Sequence, residues 1–324
     1  MHMNNHLSTV ESLPNEILMG LYEYFDGREL YNIFYNLNSR FNSLLRSVRH
    51  LSLYYQAPFD NSTHCHTIYS SQIHALNIYS KQNLKLNQFF NVHRLTLWFP
   101  TDEQIFQIHA KYFPRLEYLS VSYTISKPSI CSLYEKIFSN DFSLLKSCFL
   151  SGNESPTQAS KWTQSPNLKY LHITSINPSV LIACPNLNAL NLILPTLHDI
   201  SPNLIVHLNL KRLKLILTSI VWFEDEKKFE VLFSAMPNIH RLSLHKLFSI
   251  INPINLLLNY DWLSTIIIRC LPLLKEFIYH VYIFNLFNLD QLDIDRSLPE
   301  IKENFSKMYQ NQSEYCLKIK PYNT

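Results

Sequence analysis

A short apolar unit recurs along most of this chain, and nothing else in the sequence restricts the fold as strongly. It reads HLSL at 50, ALNI at 75, RLTL at 94, YLSV at 118, YLHI at 170, ALNL at 189, RLKL at 212 and RLSL at 241, with weaker copies SCFL at 147 and EFIY at 276. The first apolar residues fall at 51, 76, 95, 119, 148, 171, 190, 213, 242 and 277, so the spacing varies between 19 and 35 residues. Several copies follow a proline, as in FPRLEYLSV, SPNLKYLHI, CPNLNALNL and MPNIHRLSL. A unit of this length cannot bury its own apolar face, so neighbouring copies must stack and share a core.

The Leu-x-Leu alternation has the period of a strand. Helical patterns fill the gaps: Asp102 to Phe113, Pro128 to Phe138, Phe229 to Met236 and Ile254 to Ile268. A strand followed by a helix, repeated, gives a parallel sheet with right-handed crossovers. The pattern resembles the leucine-rich repeat, L-x-x-L-x-L, with an added proline. That resemblance implies an α/β fold: a curved solenoid over residues 48–285, with short parallel strands on the concave side and helices on the convex side. Residues 286–324, with a helix pattern from Leu298 to Tyr309 and a strand pattern YCLKIK at 315–320, are expected to cap it.

Because strand residues alternate sides, the residues between the leucines point away from the core. Arg94, Trp98, Tyr118, Tyr170, His172, Arg212, Lys214, Arg241 and His245 belong to that outward set. Arg, His and aromatic side chains in one strip are the usual anchors of protein–protein contact, and they are the candidate target-binding residues. For any one of them an ordinary solvated position is the alternative.

Ahead of the repeats, after an N-terminal tail of residues 1–11, residues 12–47 carry three short amphipathic patterns. Leu13, Ile17, Leu21 and Phe25 recur every four residues, broadened by Leu18 and Tyr24. Ser12 is expected to cap this first helix and Pro14 to sit in its first turn. Asp26 and Glu29 have capping-box spacing for a second helix with Leu30, Ile33, Phe34 and Leu37, Gly27 allowing a tight turn. Asn38 is expected to cap a third, carrying Phe41, Leu44 and Leu45.

Leu13-Pro14, Ile17-Leu18, Leu21, Phe25-Asp26, Leu30 and Leu37 with Arg40-Phe41 resemble the F-box, the motif that docks on the Skp-type adaptor of cullin-RING ubiquitin ligases. The second half departs from the family, reading Leu37-Asn38-Ser39-Arg40-Phe41 where Val-Cys-Lys-Arg-Trp is usual. The resemblance implies that Leu13, Pro14, Ile17, Leu18, Leu21, Phe25, Leu30, Leu37 and Phe41 bind the adaptor and, through it, a cullin. The repeats would then hold a protein substrate, and the chain would do no chemistry itself. Two other readings stand beside it: a repeat scaffold whose first helices only cap the solenoid, and a hydrolase or transferase with a clustered acid–base pair.

Composition narrows the classes. Three glycines, Gly20, Gly27 and Gly152, cannot write a dinucleotide fingerprint, a P-loop or a nucleophile elbow. No cofactor or metal is expected: the six cysteines form no CxxC, and His64-Cys65-His66 reads as a polar loop. Reduced, buried thiols are the expectation. The net charge of +3 with no visible basic stripe argues against nucleic acid. With no run of 18 apolar residues and no secretory leader, no membrane association is expected and the compartment is taken as cytoplasmic or nuclear. The sequons at Asn61, Asn153, Asn304 and Asn311 are then chance matches. Asp225-Glu226-Lys227-Lys228 is expected to open a helix, and Ser151 to Trp162 reads as a loop.

Overall fold

The structure, a computed structural model, describes residues 10–56, 69–79, 84–122, 127–151, 162–174, 176, 178–194, 200–218, 226–249, 261–284 and 314–321. The chain divides into two compact units, Met1–Ile125 and Ser126–Thr324. Each is α/β with a parallel sheet.

The first unit opens with a 3-10 turn, Val10–Ser12, and three helices: α1 (Asn15–Tyr22), α2 (Gly27–Phe34) and α3 (Ser39–Ser47). The reciprocal capping box of α2 forms as expected, Glu29 N–H donating to Asp26 Oδ1 and Asp26 N–H to Glu29 Oε2, both at 2.8 Å. Asn38 caps α3 by accepting from Phe41 N–H at 3.0 Å. Ser12 does not cap α1. It belongs to the 3-10 turn, and Pro14 holds the cap position with φ −57° and ψ 153° and no side-chain bond. Nor does Gly27 make a turn of its own: it is the first residue of α2, buried, where an added Cβ would lie 3.6 Å from the Ser52 carbonyl.

These helices share a core of Leu18, Tyr22, Leu30, Phe34, Phe41 and Leu45, all buried. The rings of Tyr22, Phe25 and Phe41 each lie 4.9–5.9 Å from Phe34. Arg40 ties the two ends together. Its guanidinium donates to Asn15 Oδ1 at 2.8 Å, to the Glu11 carbonyl at 2.7 Å and to the Leu13 carbonyl. Charge-assisted, three-way bonds of this kind fix how α3 meets the start of α1.

Four parallel strands follow in the same unit: β1 (Leu51–Tyr55), β2 (Ile73–Ile78), β3 (Arg94–Trp98) and β4 (Tyr118–Ser122), each paired with the next. The helix α2 packs on β1. Leu53, Leu76, Leu95 and Leu119 are partners in one inward column and are buried. The alignment expected from sequence had put Leu51 in that column. Instead Ser52–Tyr55 pair with Ala75–Ile78, so Leu53 takes that place and the first unit sits two residues later than its sequence suggests, while a bulge at His74 lets Leu51 pair with Ile73.

The second unit has seven parallel strands in chain order: β5 (Ser147–Ser151), β6 (Tyr170–Ile173), β7 (Ala189–Leu194), β8 (Arg212–Leu217), β9 (Arg241–Ser249), β10 (Glu276–Phe284) and β11 (Glu314–Pro321). Cys148, Leu171, Leu190, Leu213, Leu242 and Phe277 form its inward column, and all are buried. Each such side chain contributes roughly 1.5–3 kcal/mol by leaving water.

Helices return the chain between strands: α4 (Asp102–Gln107) in the first unit, then α5 (Lys127–Phe138), α6 (Pro178–Ala183), α7 (Glu226–Ser234) and α8 (Asp261–Cys270) in the second. The helix at 102 ends at Gln107 rather than Phe113, because turns closing on the His109 carbonyl take over ahead of Pro114. Its start is a capping box between Thr101 and Gln104 that sequence reading passed over. Helix α6 was also not foreseen. The pair α7 and α8 pack together, with Arg269 bridged to Glu230 at 2.9 Å. The pattern at 254–268 falls within the described residues from Asp261 on. The helix pattern at Leu298–Tyr309, the loop at 152–161 and His64-Cys65-His66 lie outside them.

A ladder of side-chain amides joins successive repeats. Four residues before the inward leucine, Asn186, Asn209 and Asn238 donate to the carbonyls of Pro166, Pro185 and Leu208 at 2.9–3.0 Å. Asn91 and Asn167 make the same bond to Ser71 and Ser143 at 2.6 Å. At the equivalent place in β2's repeat, Gln72 Nε2 donates to the carbonyls of Leu45, Arg46 and Val48 at 2.7–3.0 Å, closing the end of α3. Each bond occupies a carbonyl that no strand reaches.

Asn209→Ala is expected to cost about 1 kcal/mol, a surface-accessible hydrogen bond, and to lower the melting temperature by about 2–4 °C. Leu213→Ala in the neighbouring column should cost about 2–5 kcal/mol. Thermal unfolding followed by circular dichroism of the two variants checks the ranking, and equal effects would mean that the amide ladder carries more of the fold than its exposure allows.

Candidate functional site

Two kinds of surface carry unassigned chemistry: the outer face of the N-terminal helices and the outward rows of the sheets.

On the helices, the residues expected to meet an adaptor divide. Leu18, Leu30 and Phe41 are fully buried in the chain's own core. Leu13 and Phe25 are half-buried. Pro14, Ile17, Leu21 and Leu37 face outward, Ile17 being 52% and Leu37 54% exposed. Tyr24 and Ile33 are exposed as well. The helical period explains the split: Leu18 and Tyr22, four residues apart, take the inward face of α1, which leaves the stripe through Ile17 and Leu21 rotated away. Ile17 and Leu21 are thus left as apolar surface outside a well-packed core.

In the first unit, the outward rows bring Arg94 over the ring of Tyr118 at 4.6 Å, a cation–π contact, and stack Trp98 on Tyr79 with centroids 5.7 Å apart. Tyr79 and Trp98 are both about two-fifths exposed. Phe99, directly after the strand, takes a left-handed φ of 52° and is exposed too. Aromatic anchors held in place by neighbours lose little entropy on binding.

In the second unit, the register sets Tyr170, Ala189, Arg212, Arg241 and Glu276 in one outward row and His172, Asn191, Lys214, Ser243 and Ile278 in the next. An open cleft of about 380 Å³ spans them, lined also by His245 and His280. All six residues expected here from sequence, Tyr170, His172, Arg212, Lys214, Arg241 and His245, line that face. Ser243, an outward residue of the same sequence pattern, lies there too; Asn191 was missed, though its position between two leucines was the available signal. Ile278 proves buried despite its outward place.

Bonds on this face are specific. Asn191 Nδ2 lies 2.9 Å from His172 Nδ1, and Ser243 Oγ 2.9 Å from His245 Nε2. The imidazoles of His245 and His280 stack with centroids 4.3 Å apart. Arg241 pairs with Glu276 at 3.1 Å. Partial burial, the Lys214 ammonium and His280 hold His245 down to about 4, and burial with Lys214 also lowers His172. Burial lowers Lys214 in turn. Neutral imidazoles around a half-buried cation favour a ligand that brings negative charge.

Another row was invisible in sequence. Two residues before each inward leucine stand Lys146, Lys169, Asn188, Lys211, His240 and Lys275, successive amides donating to the preceding carbonyl of the row at 2.8–2.9 Å. The absence of a basic stripe, inferred from sequence, is thereby corrected: lysines 23–64 residues apart along the chain share one row in space. The same row in the first unit reads His74, His93 and Glu117, with the two imidazoles stacked at 4.1 Å and His93 Nδ1 3.3 Å from Glu117. Among the described residues no cluster of His, Cys, Asp and Glu could hold a metal ion, and no helix is long and apolar enough to cross a membrane. Burial raises the thiols of Cys148 and Cys184, and both are unbridged, as is Cys270.

No protein-family model matches the chain, and no curated protein matches it.

Because His245 is depressed in the fold, its neutral form contributes stability that is fully present above about 6.5 and is lost as the pH falls from there toward 4. His245→Gln is expected to flatten that loss. Melting temperatures of wild type and variant between pH 7.5 and 4.5 check it, and parallel curves would show that His245 titrates normally.

Proposed function

We propose that this chain is the substrate-recognition subunit of an SCF-type cullin-RING ubiquitin ligase, its N-terminal helices an F-box that docks on a Skp-type adaptor and its repeats a leucine-rich-repeat-like solenoid that holds a protein target. One observation carries the reading: Pro14, Ile17 and Leu21 along α1, and Leu37 ahead of α3, are exposed although the core of the helices is fully packed. These positions belong to the segment whose Leu-Pro, Ile-Leu, Leu and Phe-Asp spacing resembles the F-box. The surface left for the adaptor is therefore Leu13, Pro14, Ile17, Leu21, Phe25 and Leu37, while Leu18, Leu30 and Phe41 hold the helices together.

Such a subunit does no chemistry. It raises the effective concentration of a target beside a ubiquitin donor, and the placement of the target decides which lysines are reached. The outward rows with Arg94, Trp98 and Tyr118, and those around Lys214, are the target-binding surface in this reading.

A second reading is favoured by α2 packing on β1 and by Gln72 closing α3, both of which suit helices that cap a repeat scaffold with no ligase role. The two readings differ at the outer stripe. Co-expressed with a Skp-type adaptor, the chain should elute as a one-to-one complex on size exclusion. Ile17→Asp with Leu21→Asp should abolish the complex without lowering the melting temperature by more than a few degrees. A chain that stays monomeric beside the adaptor would leave the capping scaffold.

A further inference from the structure

The row of basic side chains at the start of strands β6 to β10 has a periodicity of its own. Lys169, Lys211 and Lys275 occupy alternate rungs, with Asn188 and His240 between them. Adjacent rungs of a parallel sheet stand about 4.8 Å apart, so the three lysines recur at roughly 10 Å. A cleft of about 550 Å³ opens between Lys169 and Lys211, lined by Asn186, Asn188, Asn209 and Arg212. Lys169 and Lys275 are exposed and Lys211 is half-buried. The nearest carboxylate in the next row, Glu276, is committed to Arg241.

We propose that this row binds an extended acidic polypeptide segment lying across the strands, with a carboxylate at about every third residue. An extended chain advances about 3.3 Å per residue, so carboxylates three residues apart fall roughly 10 Å apart and meet successive lysines. The intervening residues lie over Asn188 and His240, which carry side-chain hydrogen-bonding groups rather than fixed charge. The asparagine amides that line the cleft keep its floor in place, since Asn186 and Asn209 are bonded to the carbonyls of Pro166 and Pro185. Nucleic acid fits the row less well: a strand of duplex DNA carries a charge every 3.4 Å along the axis, and three cations at three times that interval leave most phosphates uncompensated. The acidic segment extends the proposed function without depending on it, because it requires neither the adaptor nor the N-terminal helices.

Fluorescence anisotropy with the full chain tests the assignment. The probes are a labelled 13-residue peptide with glutamate at every third position among serine and alanine, an isomer of the same composition with its glutamates contiguous, and a labelled single-stranded oligonucleotide. The spaced peptide should bind at least tenfold more tightly than the contiguous isomer at about 0.15 M salt. Lys211→Glu and, independently, Lys169→Glu should each weaken it tenfold or more with an unchanged circular dichroism spectrum, whereas the charge-matched Lys111→Glu, at an exposed lysine of the first unit outside the row, should not. Equal binding of the two peptides, tighter binding of the oligonucleotide, no binding of the spaced peptide, or equal loss in Lys111→Glu would each overturn the proposal. Because no adaptor is present, a failure here leaves the docking of the helices untouched.

Discussion

Everything in this protein depends on the pairing of each inward leucine with the one a repeat away. The columns through Leu95 in the first unit and Leu190 in the second are buried, each leucine stacked beside its register partner in the next strand. A parallel ladder has no short hairpin to enforce its alignment. Register must come from the apolar pattern, since a slip of one residue would turn each leucine outward. The amide ladder supplies a second check, because Asn186, Asn209 and Asn238 reach their carbonyls only when adjacent repeats are correctly aligned. Once the inward columns are fixed, every alternate residue is released for other use.

That division accounts for what could be read in advance. The apolar unit, the strands, the helix at 127–138 and the caps at Asp26 and Asn38 rest on local periodicity and local bonds, and the sequence displays both. The first repeat was misaligned because Leu51 and Leu53 both fit the inward period and both are buried, and only the pairing of β1 with β2 selects Leu53. The asparagine ladder was in view as a recurring Pro-Asn-Leu, but its purpose exists only between repeats. Likewise Lys169 and Lys211 are 42 residues apart in the chain, so no scan for clustered charge could find the row they make. On α1, the four-residue stripe was legible while its direction was not: Leu18 and Tyr22 form an equally good stripe, and aromatic packing against Phe34 decides that they turn inward.

The N-terminal helices therefore have two unlike faces. The inner one is tied down by Arg40, Phe34 and Gln72, and a partner would have little to rearrange there. The outer one exposes Ile17 and Leu21 among polar residues. Pre-organisation of this kind lets a docking surface spend little free energy on ordering itself. In the second unit the outward rows show the converse chemistry, cations and neutral imidazoles set on a rigid sheet, suited to a partner that supplies the missing negative charge.

Hydrogen–deuterium exchange of the full chain with and without a Skp-type adaptor addresses the central claim most directly. Slowed exchange confined to peptides covering residues 13–37, with β6 to β10 unchanged, is the predicted result. Protection spread over the strands, or none at 13–37 at saturating adaptor, would contradict the division of the helices into a packed inner face and a docking outer one.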